Sequence, residues 1–254
     1  MLPKEEERFL KLAHRLGVLQ GDRLERAAKV AERRSEGKVP LPFTLLREGI
    51  LSDEEVDRIL HAMVELLDQT TAKAAELLKD RQFTKAIGKY DRVIASHPSH
   101  EASYWGRAEA YLKKGALLPA LADYTTLLEI TEKKALAHNR RGVVLARLGK
   151  HDEARREQEA ALSLDPANAE IHFDLGTCFH ILGDRVRAVA EYSRTIEIAP
   201  DHLEALNNRA ILHLLGRDFE KAQADWKACL AIDRRRSTIR HNLKMLLQRL
   251  RPAR

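Results

Sequence analysis

Residues 166–199 read PANAEIHFDLGTCFHILGDRVRAVAEYSRTIEIA, and this stretch decides the fold. Its apolar residues recur at helical spacing before Gly183 and again after it, which predicts two amphipathic helices joined by a glycine turn. The two apolar faces consist of Leu175, Cys178, Phe179 and Leu182, followed by Ala188, Val189, Tyr192, Thr195 and Ile196. Because Gly176 and Ala188 are small, the two helix backbones can approach closely while the Tyr192 ring fills the adjoining space. The stretch therefore predicts a helical hairpin.

This hairpin is one of five, because the same columns recur every 34 residues without a gap. The columns are Ala86, Ala120, Ala154, Ala188 and Ala222; then Ala74, Ala108, Gly142, Gly176 and Ala210; and the bulky Tyr90, Tyr124, Gln158, Tyr192 and Trp226. Two copies depart locally: the first has Asp80-Arg81 in place of the glycine turn, and the third has polar Gln158 where a ring is usual. Hairpins of this kind bury their apolar sides only against neighbouring copies, so they must stack.

The 34-residue units resemble tetratricopeptide repeats over residues 64–233, two-thirds of the chain. The resemblance implies an all-α fold, a right-handed superhelical solenoid of helical hairpins with an N-terminal helical module and a C-terminal capping helix. The expected domains are a module at 1–63, repeats at 64–97, 98–131, 132–165, 166–199 and 200–233, and a basic capping helix and tail at 234–254.

The excess of positive charge lies at the C-terminal end. The net charge is +6, yet residues 234–254 contain eight arginines and lysines and no acid, so the remainder is nearly neutral. A nucleic-acid surface over the whole protein is therefore a poor explanation of the high pI. The expected helix has one apolar stripe, which is made of Ile239, Leu243, Leu246, Leu247 and Leu250. This stripe favours a solubilising cap. Association with RNA or an anionic membrane through the basic side is the less favoured alternative, with a contact patch at Arg234, Arg235, Arg236 and Arg240.

Residues 1–63 contain a weaker repeat of their own. FLKLAHRLGVLQGDRLERAA at 9–28 and LPFTLLREGILSDEEVDRIL at 41–60 align at an offset of 32, and each predicts a helix, a glycine C-cap, a short apolar linker and a second helix. Ser52 and Glu55 predict a capping box for the last of these helices. No helix breaker separates Ser52 from about Arg81, so this helix is expected to continue into the first repeat.

The paired pattern of residues 1–63 is similar to the small helical N-terminal domain of bacterial type II secretion and pilus ATPases and to related kinase-associated segments. A cyclic di-GMP-binding subset of that family carries an Arg-Leu-Gly start and a later glutamine. Here the corresponding places hold Pro40-Leu41-Pro42 and Met63. The guanidinium and the glycine are missing, so nucleotide binding is not carried over, and a docking module is the expectation.

The motifs of the common enzyme classes are missing from the sequence. There is no phosphate-binding glycine loop, no His-Glu-x-x-His and no Gly-x-Ser-x-Gly. His138 and His172 share a repeat column, but without carboxylate or thiolate partners in the pattern a packing or surface role is favoured over a metal site. Cys178 and Cys229 lack metal-ligand spacing and are expected to be buried, reduced thiols of a cytosolic protein. We therefore expect no enzymatic activity, no catalytic residue, no cofactor and no metal.

The first helices of the repeats predict the partner-binding groove, because in tetratricopeptide proteins the concave surface is built mainly from them. Asparagine amides offer both a donor and an acceptor to a peptide backbone. Arg140 and Arg147 lie two turns apart on one helix face, so both guanidinium groups can meet one carboxylate. Trp105 and Phe173 are expected to be apolar anchors for the partner, or else to pack between hairpins. The expected groove residues are Trp105, Glu109, Asn139, Arg140, Arg147, Phe173, Asp174, Asn207 and Asn208. The lysine and asparagine clamp with which family members hold chaperone C-termini is not matched. The groove column has no lysine, and Glu109 and Asp174 would repel an acidic tail; the column consists of Thr71, Trp105, Asn139, Phe173 and Asn207.

The sequence thus predicts a cytoplasmic, bacterial scaffold or adaptor that binds a partner peptide or helix in the groove. The alternative is a signalling or secretion-associated regulatory module whose N-terminal part docks a kinase, an ATPase or a nucleotide. Residues 1–15 are acidic and then amphipathic, which is not the pattern of a secretory signal, and no apolar stretch approaches the length of a membrane span. The expected partner is a protein or peptide rather than a nucleic acid, and the pattern leaves the oligomeric state open.

Overall fold

The computed structural model describes residues 4–33 and 39–249, which form fourteen α-helices and no strand. The fold is therefore all-α, as predicted. The helices are α1 Lys4–Arg15, α2 Gly21–Arg33, α3 Leu41–Arg47, α4 Asp53–Lys79, α5 Phe83–Ile94, α6 Glu101–Lys114, α7 Leu117–Ile130, α8 Lys134–Arg147, α9 His151–Leu164, α10 Ala169–Ile181, α11 Arg185–Ile198, α12 Leu203–Leu215, α13 Phe219–Ile232 and α14 Ser237–Arg249.

The N-terminal module has a core of its own. Both predicted glycine C-caps are present, since Gly17 and Gly49 have φ angles of 72° and 64° and end α1 and α3. The buried apolar core includes Phe9, Ala13, Leu19, Leu45 and Ile59. Arg23 joins the two halves, because its guanidinium donates to the Ile50 carbonyl at 2.7 Å and to the Glu55 carboxylate at 2.7 Å.

Helix α4 is continuous from Asp53 to Lys79, as the absence of a breaker predicted. Its start has the predicted capping box: the Ser52 hydroxyl accepts from the Glu55 amide, and the Glu55 carboxylate accepts from the Ser52 amide. The helix begins in the core of the N-terminal module, at Val56 and Ile59, and ends in that of the first repeat, at Ala74 and Leu78. One helix therefore belongs to both cores.

The chain forms two compact units, residues 1–114 and 115–254. The first unit holds the N-terminal module, the hairpin α4–α5 and α6, and the second holds α7 and the hairpins α8–α9, α10–α11 and α12–α13. The boundary falls between the two helices predicted for the second repeat. The limits predicted at residues 63 and 233 stay predictions.

Left-handed turns join the two helices of the hairpins. Glycine has this conformation at Gly115, Gly149 and Gly183, with φ angles of 81°, 77° and 80°. In the first and fifth repeats the equivalent residues are Arg81 and Arg217, with φ angles of 60° and 63°. The first repeat therefore makes the same turn without glycine, at a conformational cost of about 1 kcal/mol.

Helix α14 caps the last hairpin. Ile239 and Leu246 are buried against a core that contains Trp226 and Cys229, and Leu243 is partly buried there. Leu247, predicted in the same stripe, is 40% exposed. That part of the prediction is wrong, because the residue lies about 100° around the helix from Leu246 and at the edge of the stripe. Leu250, Arg251 and Arg254 lie outside the described residues.

Candidate functional site

Seven of the predicted groove residues lie on the first helices of hairpins three, four and five. Helix α8 carries Asn139, Arg140 and Arg147, α10 carries Phe173 and Asp174, and α12 carries Asn207 and Asn208. Helices α8 and α10 are in direct contact. The structure thus brings the α8 and α10 residues together in the unit 115–254.

The centre of this surface is the carboxyl group of Asp174. The pKa of Asp174 is raised to about 7, mainly by burial and also by the charge of Glu170. Arg140, a hydrogen bond from Asn139 and Arg147 oppose this rise. Burial dominates because an ionised carboxylate loses more hydration than these neighbours return. Near neutral pH this carboxyl group is therefore poised between its acid and its anion.

Three buried oxygens around Asp174 lack a hydrogen-bond partner among the described residues. They are Oδ2 of Asp174, Oδ1 of Asn139 and Oε1 of Gln158. Asn139 is 3% exposed and Gln158 is 1% exposed. Native proteins leave few buried polar atoms unsatisfied, since each costs about 1–3 kcal/mol. A polar ligand that reaches this point would recover part of that cost, so we name Asn139, Gln158 and Asp174 the polar notch.

Gln158 belongs to the notch because the third repeat has this polar residue where the other four repeats have an aromatic ring. Its Nε2 atom donates to the Asn139 carbonyl at 3.4 Å. The amide also lies so close to Gly142 that a Cβ atom there would come within 2.8 Å of Nε2. Gln158 is absent from the predicted site, although a polar residue in a column of rings is the signal that could have found it.

Arg140 and Arg147 provide positive charge beside the notch. Both are exposed, and neither makes an ion pair or a side-chain hydrogen bond in the described part of the chain. Both influence the pKa of Asp174, so both guanidinium groups lie near that carboxyl group. They lie two turns apart on one helix face, which suits a shared carboxylate ligand.

The remaining residues of this surface also have roles within the fold. The Phe173 ring packs on Tyr192 and on His202, with ring centroids 5.8 Å and 4.6 Å apart. Asn207 Oδ1 accepts from Trp226 Nε1 at 3.1 Å, and Asn208 Nδ2 donates to the Tyr192 hydroxyl at 3.4 Å. Phe173 therefore packs between hairpins, and both asparagines use part of their hydrogen-bonding capacity internally.

Trp105 and Glu109 lie on α6, in the unit formed by residues 1–114. Trp105 is partly buried and donates from Nε1 to Glu101 Oε1 at 2.9 Å, while Glu109 pairs with Lys113 at 2.9 Å. Their part in a shared groove stays a prediction.

The predicted basic contact patch is exposed. Arg234, Arg235 and Arg240 are exposed, whereas Arg236 pairs with Glu204 at 3.2 Å and with Asp233 at 3.5 Å. Exposed ion pairs of this kind contribute little to stability. The cap contact of α14 explains its apolar side, and its cations Arg240 and Lys244 are exposed to solvent.

The two histidines of the shared column have carboxylate partners, contrary to the sequence expectation. His138 Nδ1 lies 2.9 Å from Glu157 Oε2, and His172 Nδ1 lies 2.7 Å from Glu191 Oε2. The two glutamates are themselves 34 residues apart, so the pair repeats with the hairpin. Each pair ties a first helix to its second helix, and we assign it a packing role. Residues 4–33 and 39–249 contain no group of three or more metal-ligating side chains.

The two cysteines are buried and unpaired, as predicted. Burial raises the pKa of Cys178 and of Cys229 to about 11, so both are thiols rather than reactive thiolates at neutral pH. In the described chain no helix combines the length and the apolar character needed to cross a membrane.

A cavity of about 1000 Å³ in the unit 115–254 lies around the α10–α11 turn rather than at the notch. Two of the arginines that line it are already paired, Arg155 with Glu159 and Arg187 with Asp184, and Arg187 also stacks on Phe179. None of the residues lining this cavity has a buried polar side-chain atom without a partner in the described chain, whereas the notch has three, so we favour the polar notch and its two free arginines as the candidate site.

A comparison with known families agrees with the helical hairpins. The model of the tetratricopeptide repeat matches residues 71–135 and 139–202, about half of the chain. The match includes the polar notch and both free arginines.

Individual relatives match only the repeat region. The chain is 34% identical over 132 residues to the FK506-binding protein-like protein of Rattus norvegicus, covering 48% of this chain and 38% of the relative. It is 24% identical over 144 residues to the Hsp70-Hsp90 organizing protein of Triticum aestivum, covering 57% and 25%. The chain therefore spans about a quarter to two-fifths of the length of these relatives. The solved structure of YrrB, described as a TPR protein with an unusual peptide-binding site, has a TM-score of 0.56 at 20% identity and covers 69% of this chain and 90% of its own, a likeness of fold.

Proposed function

We propose that this chain, which belongs to the tetratricopeptide repeat family, is a non-enzymatic scaffold that binds an acidic segment of a partner protein. The observation that carries the proposal is the pair of exposed, unpaired guanidinium groups of Arg140 and Arg147 beside the polar notch. A carboxylate held by the two arginines would leave the peptide backbone next to the unpartnered notch oxygens, of which the amide oxygens of Asn139 and Gln158 accept hydrogen bonds from N–H groups.

The charge state of Asp174 supports an acidic partner of this kind. An ionised carboxylate would repel the ligand, but burial raises the pKa of Asp174 to about 7. The repulsion is therefore weak when Asp174 is protonated. Binding of an acidic segment is expected to be coupled to proton uptake by Asp174, and to weaken as the pH rises through about 7.

The finer parts of the proposal concern location and partners. We place the scaffold in the bacterial cytoplasm, with the buried, unpaired thiols and the resemblance of residues 1–63 to bacterial ATPase modules as support. That relatives carry names linked to Hsp70, Hsp90 or FK506 binding does not transfer a partner, since this chain lacks the lysines of the chaperone clamp in its groove column.

The test is a selection of peptides from a displayed random library on the full chain. We expect enrichment of peptides with Asp or Glu, and a loss of binding by about tenfold or more in the variant Arg140→Ala/Arg147→Ala. The matched control is Arg156→Ala/Arg194→Ala, which removes two exposed arginines from the second helices α9 and α11. Equal binding by both variants and the natural chain would contradict the groove assignment.

The same peptides test the role of Asp174. We expect binding to the natural chain to weaken between about pH 6 and about pH 8, and binding to Asp174→Asn to change much less. An unchanged pH dependence in Asp174→Asn would show that another group controls the binding.

A further inference from the structure

A second surface lies in the unit 1–114, independent of the notch. A trough of about 640 Å³ runs between α1, α4 and α5. Helix α1 contributes lining residues from Glu5 to Arg15, and α4 contributes them from Met63 to Thr70. Helix α5 and the residues just after its end contribute those from Lys89 to Ser96. Ten residues of α1 correspond to about 15 Å, so the trough is about three helical turns long.

Two free cations lie on each wall of the trough. Arg8 and Arg15 lie two turns apart on α1, and Lys89 and Arg92 lie one turn apart on α5. None of these four makes an ion pair or side-chain hydrogen bond within residues 4–33 and 39–249. A further lysine on α1 pairs with its own helix neighbour, and a single acid, Glu5, lies at one end. The walls are therefore strongly positive.

The floor of the trough is apolar. Leu12, Met63, Leu67 and Val93 form it, and Leu66 at its edge is 50% exposed. A polar atom also faces this region, since Nδ1 of His97 is buried without a partner among the described residues. An apolar floor between two cationic walls is complementary to a ligand with a central apolar stripe and anions on both sides.

We propose that the trough between α1, α4 and α5 is a docking site for an acidic amphipathic helix of a partner protein. The occupant must be extended, because the cations of the α1 wall are spread over about 10 Å and are matched by two more on the facing wall. A single anionic headgroup would meet one or two of them. A helix with apolar residues at i, i+3/i+4 and i+7 and glutamates on both flanks meets all four cations and covers the floor.

The basic helix α14 of this same chain has the wrong charge for the trough, since its side chains include Arg240 and Lys244 and no acid. The site also differs from the polar notch in what it selects: a helix with a broad apolar stripe rather than an acidic peptide with a free backbone. Loss of one site is therefore expected to leave the other intact.

The experiment uses a labelled synthetic peptide of about twenty residues, with leucines on one helical stripe and glutamates on both sides. Its binding to the full chain is measured by fluorescence anisotropy. We expect the natural chain to bind this peptide about tenfold or more tightly than a peptide with lysines in place of the glutamates. The variant Lys89→Glu/Arg92→Glu should lose about tenfold in affinity, and Leu66→Gln several-fold.

The matched control is Arg26→Glu/Lys29→Glu on α2. It has the same charge change and the same spacing, and both residues are exposed outside the trough. We expect its affinity to stay within about twofold of the natural chain. Circular dichroism and thermal unfolding establish that each variant is folded.

Four outcomes of the binding measurements would overturn the proposal. They are no binding of the glutamate peptide, equal binding of the lysine peptide, equal losses in the trough and control variants, and binding of phosphatidylglycerol vesicles that depends on Lys89 and Arg92 while peptide binding does not. Sedimentation of the chain alone completes the test, because self-association that Lys89→Glu/Arg92→Glu abolishes would assign the trough to a second copy.

Discussion

Hairpins three and four have the same backbone plan and opposite interiors. In hairpin four, the Tyr192 ring is fully buried against Gly176, and its hydroxyl group lies 3.3 Å from Thr177 Oγ1 and 3.4 Å from Asn208 Nδ2. In hairpin three, Gln158 has the equivalent place beside Gly142, and its Oε1 atom has no partner in the described chain. A glutamine in place of a tyrosine at one repeat position thus changes the contact between the two helices of a hairpin from aromatic to polar.

We propose that this difference provides a binding site without a change of fold. At equivalent repeat positions of the next hairpin, Asn208 donates to the Tyr192 hydroxyl group of hairpin four and Asp174 accepts from the Asn139 amide of hairpin three. The first contact is satisfied within the protein, whereas the second leaves buried oxygens open. We attribute stability mainly to the first and recognition to the second.

The largest expected effect comes from giving hairpin four the interior of hairpin three. Tyr192→Gln should lower the free energy of unfolding by about 3 kcal/mol, because it removes a fully buried ring and leaves a cavity between helices. Urea denaturation of the full chain, followed by circular dichroism, measures the change.

Tyr192→Phe is the matched control for that variant, since it keeps the ring and removes only two long hydrogen bonds. We expect it to cost about 0.5–1 kcal/mol. If Tyr192→Gln costs no more than Tyr192→Phe, the ring does not carry the stability that the comparison assigns to it.

The next effect concerns pH. Because the pKa of Asp174 is raised in the folded protein, the unfolded chain loses its proton first as the pH rises from about 4 to about 7, and the stability falls over that interval. Below about pH 4 the Asp174 carboxyl group is protonated in both the folded and the unfolded chain. Above about pH 7 it is ionised in both, so the loss of stability stays constant. Asp174→Asn should therefore be more stable than the natural chain by about 2 kcal/mol near pH 8. This is about half of what a pKa raised from 3.8 to about 7 gives at full strength, because the side chain is partly exposed to solvent. The gap should shrink towards pH 4. Urea denaturation at both pH values measures it, and a gap independent of pH would contradict the assigned pKa.

The smallest effect is the reverse exchange, Gln158→Tyr. A ring beside Gly142 would place a hydroxyl group near the Asp174 carboxyl group, as Tyr192 does near Asn208. We expect a gain of about 1 kcal/mol in the free energy of unfolding and a weakening of acidic peptide binding by several-fold, since the notch is filled. Urea denaturation measures the free energy of unfolding, and the peptide assay measures the affinity. Tighter binding of the acidic peptide by Gln158→Tyr would contradict the role assigned to Gln158.

Much of the fold followed from the sequence, because periodic columns report packing that repeats. The 34-residue spacing predicted the hairpins, Ser52 and Glu55 predicted a helix cap, and the missing breaker predicted the long helix α4. The left-handed turn at Arg81 was not predictable from composition, since a non-glycine residue has this conformation only when its neighbours impose it. The His172 and Glu191 pair was missed for a related reason: 19 residues apart, they meet only when the two helices fold together.

What the sequence by itself determined is the all-α hairpin fold and the choice of first helices as the surface that carries Arg140, Arg147 and Asp174. Local spacing specifies the hairpins and the helix face that repeat-equivalent side chains share, whereas the choice of first helices follows from the resemblance to tetratricopeptide repeats. Only the tertiary structure decided which of these groups are satisfied. The burial of Asp174, the open oxygens of Asn139 and Gln158, and the cationic trough on α1 and α5 depend on distances between helices that are remote in the chain, and desolvation and charge respond to those distances.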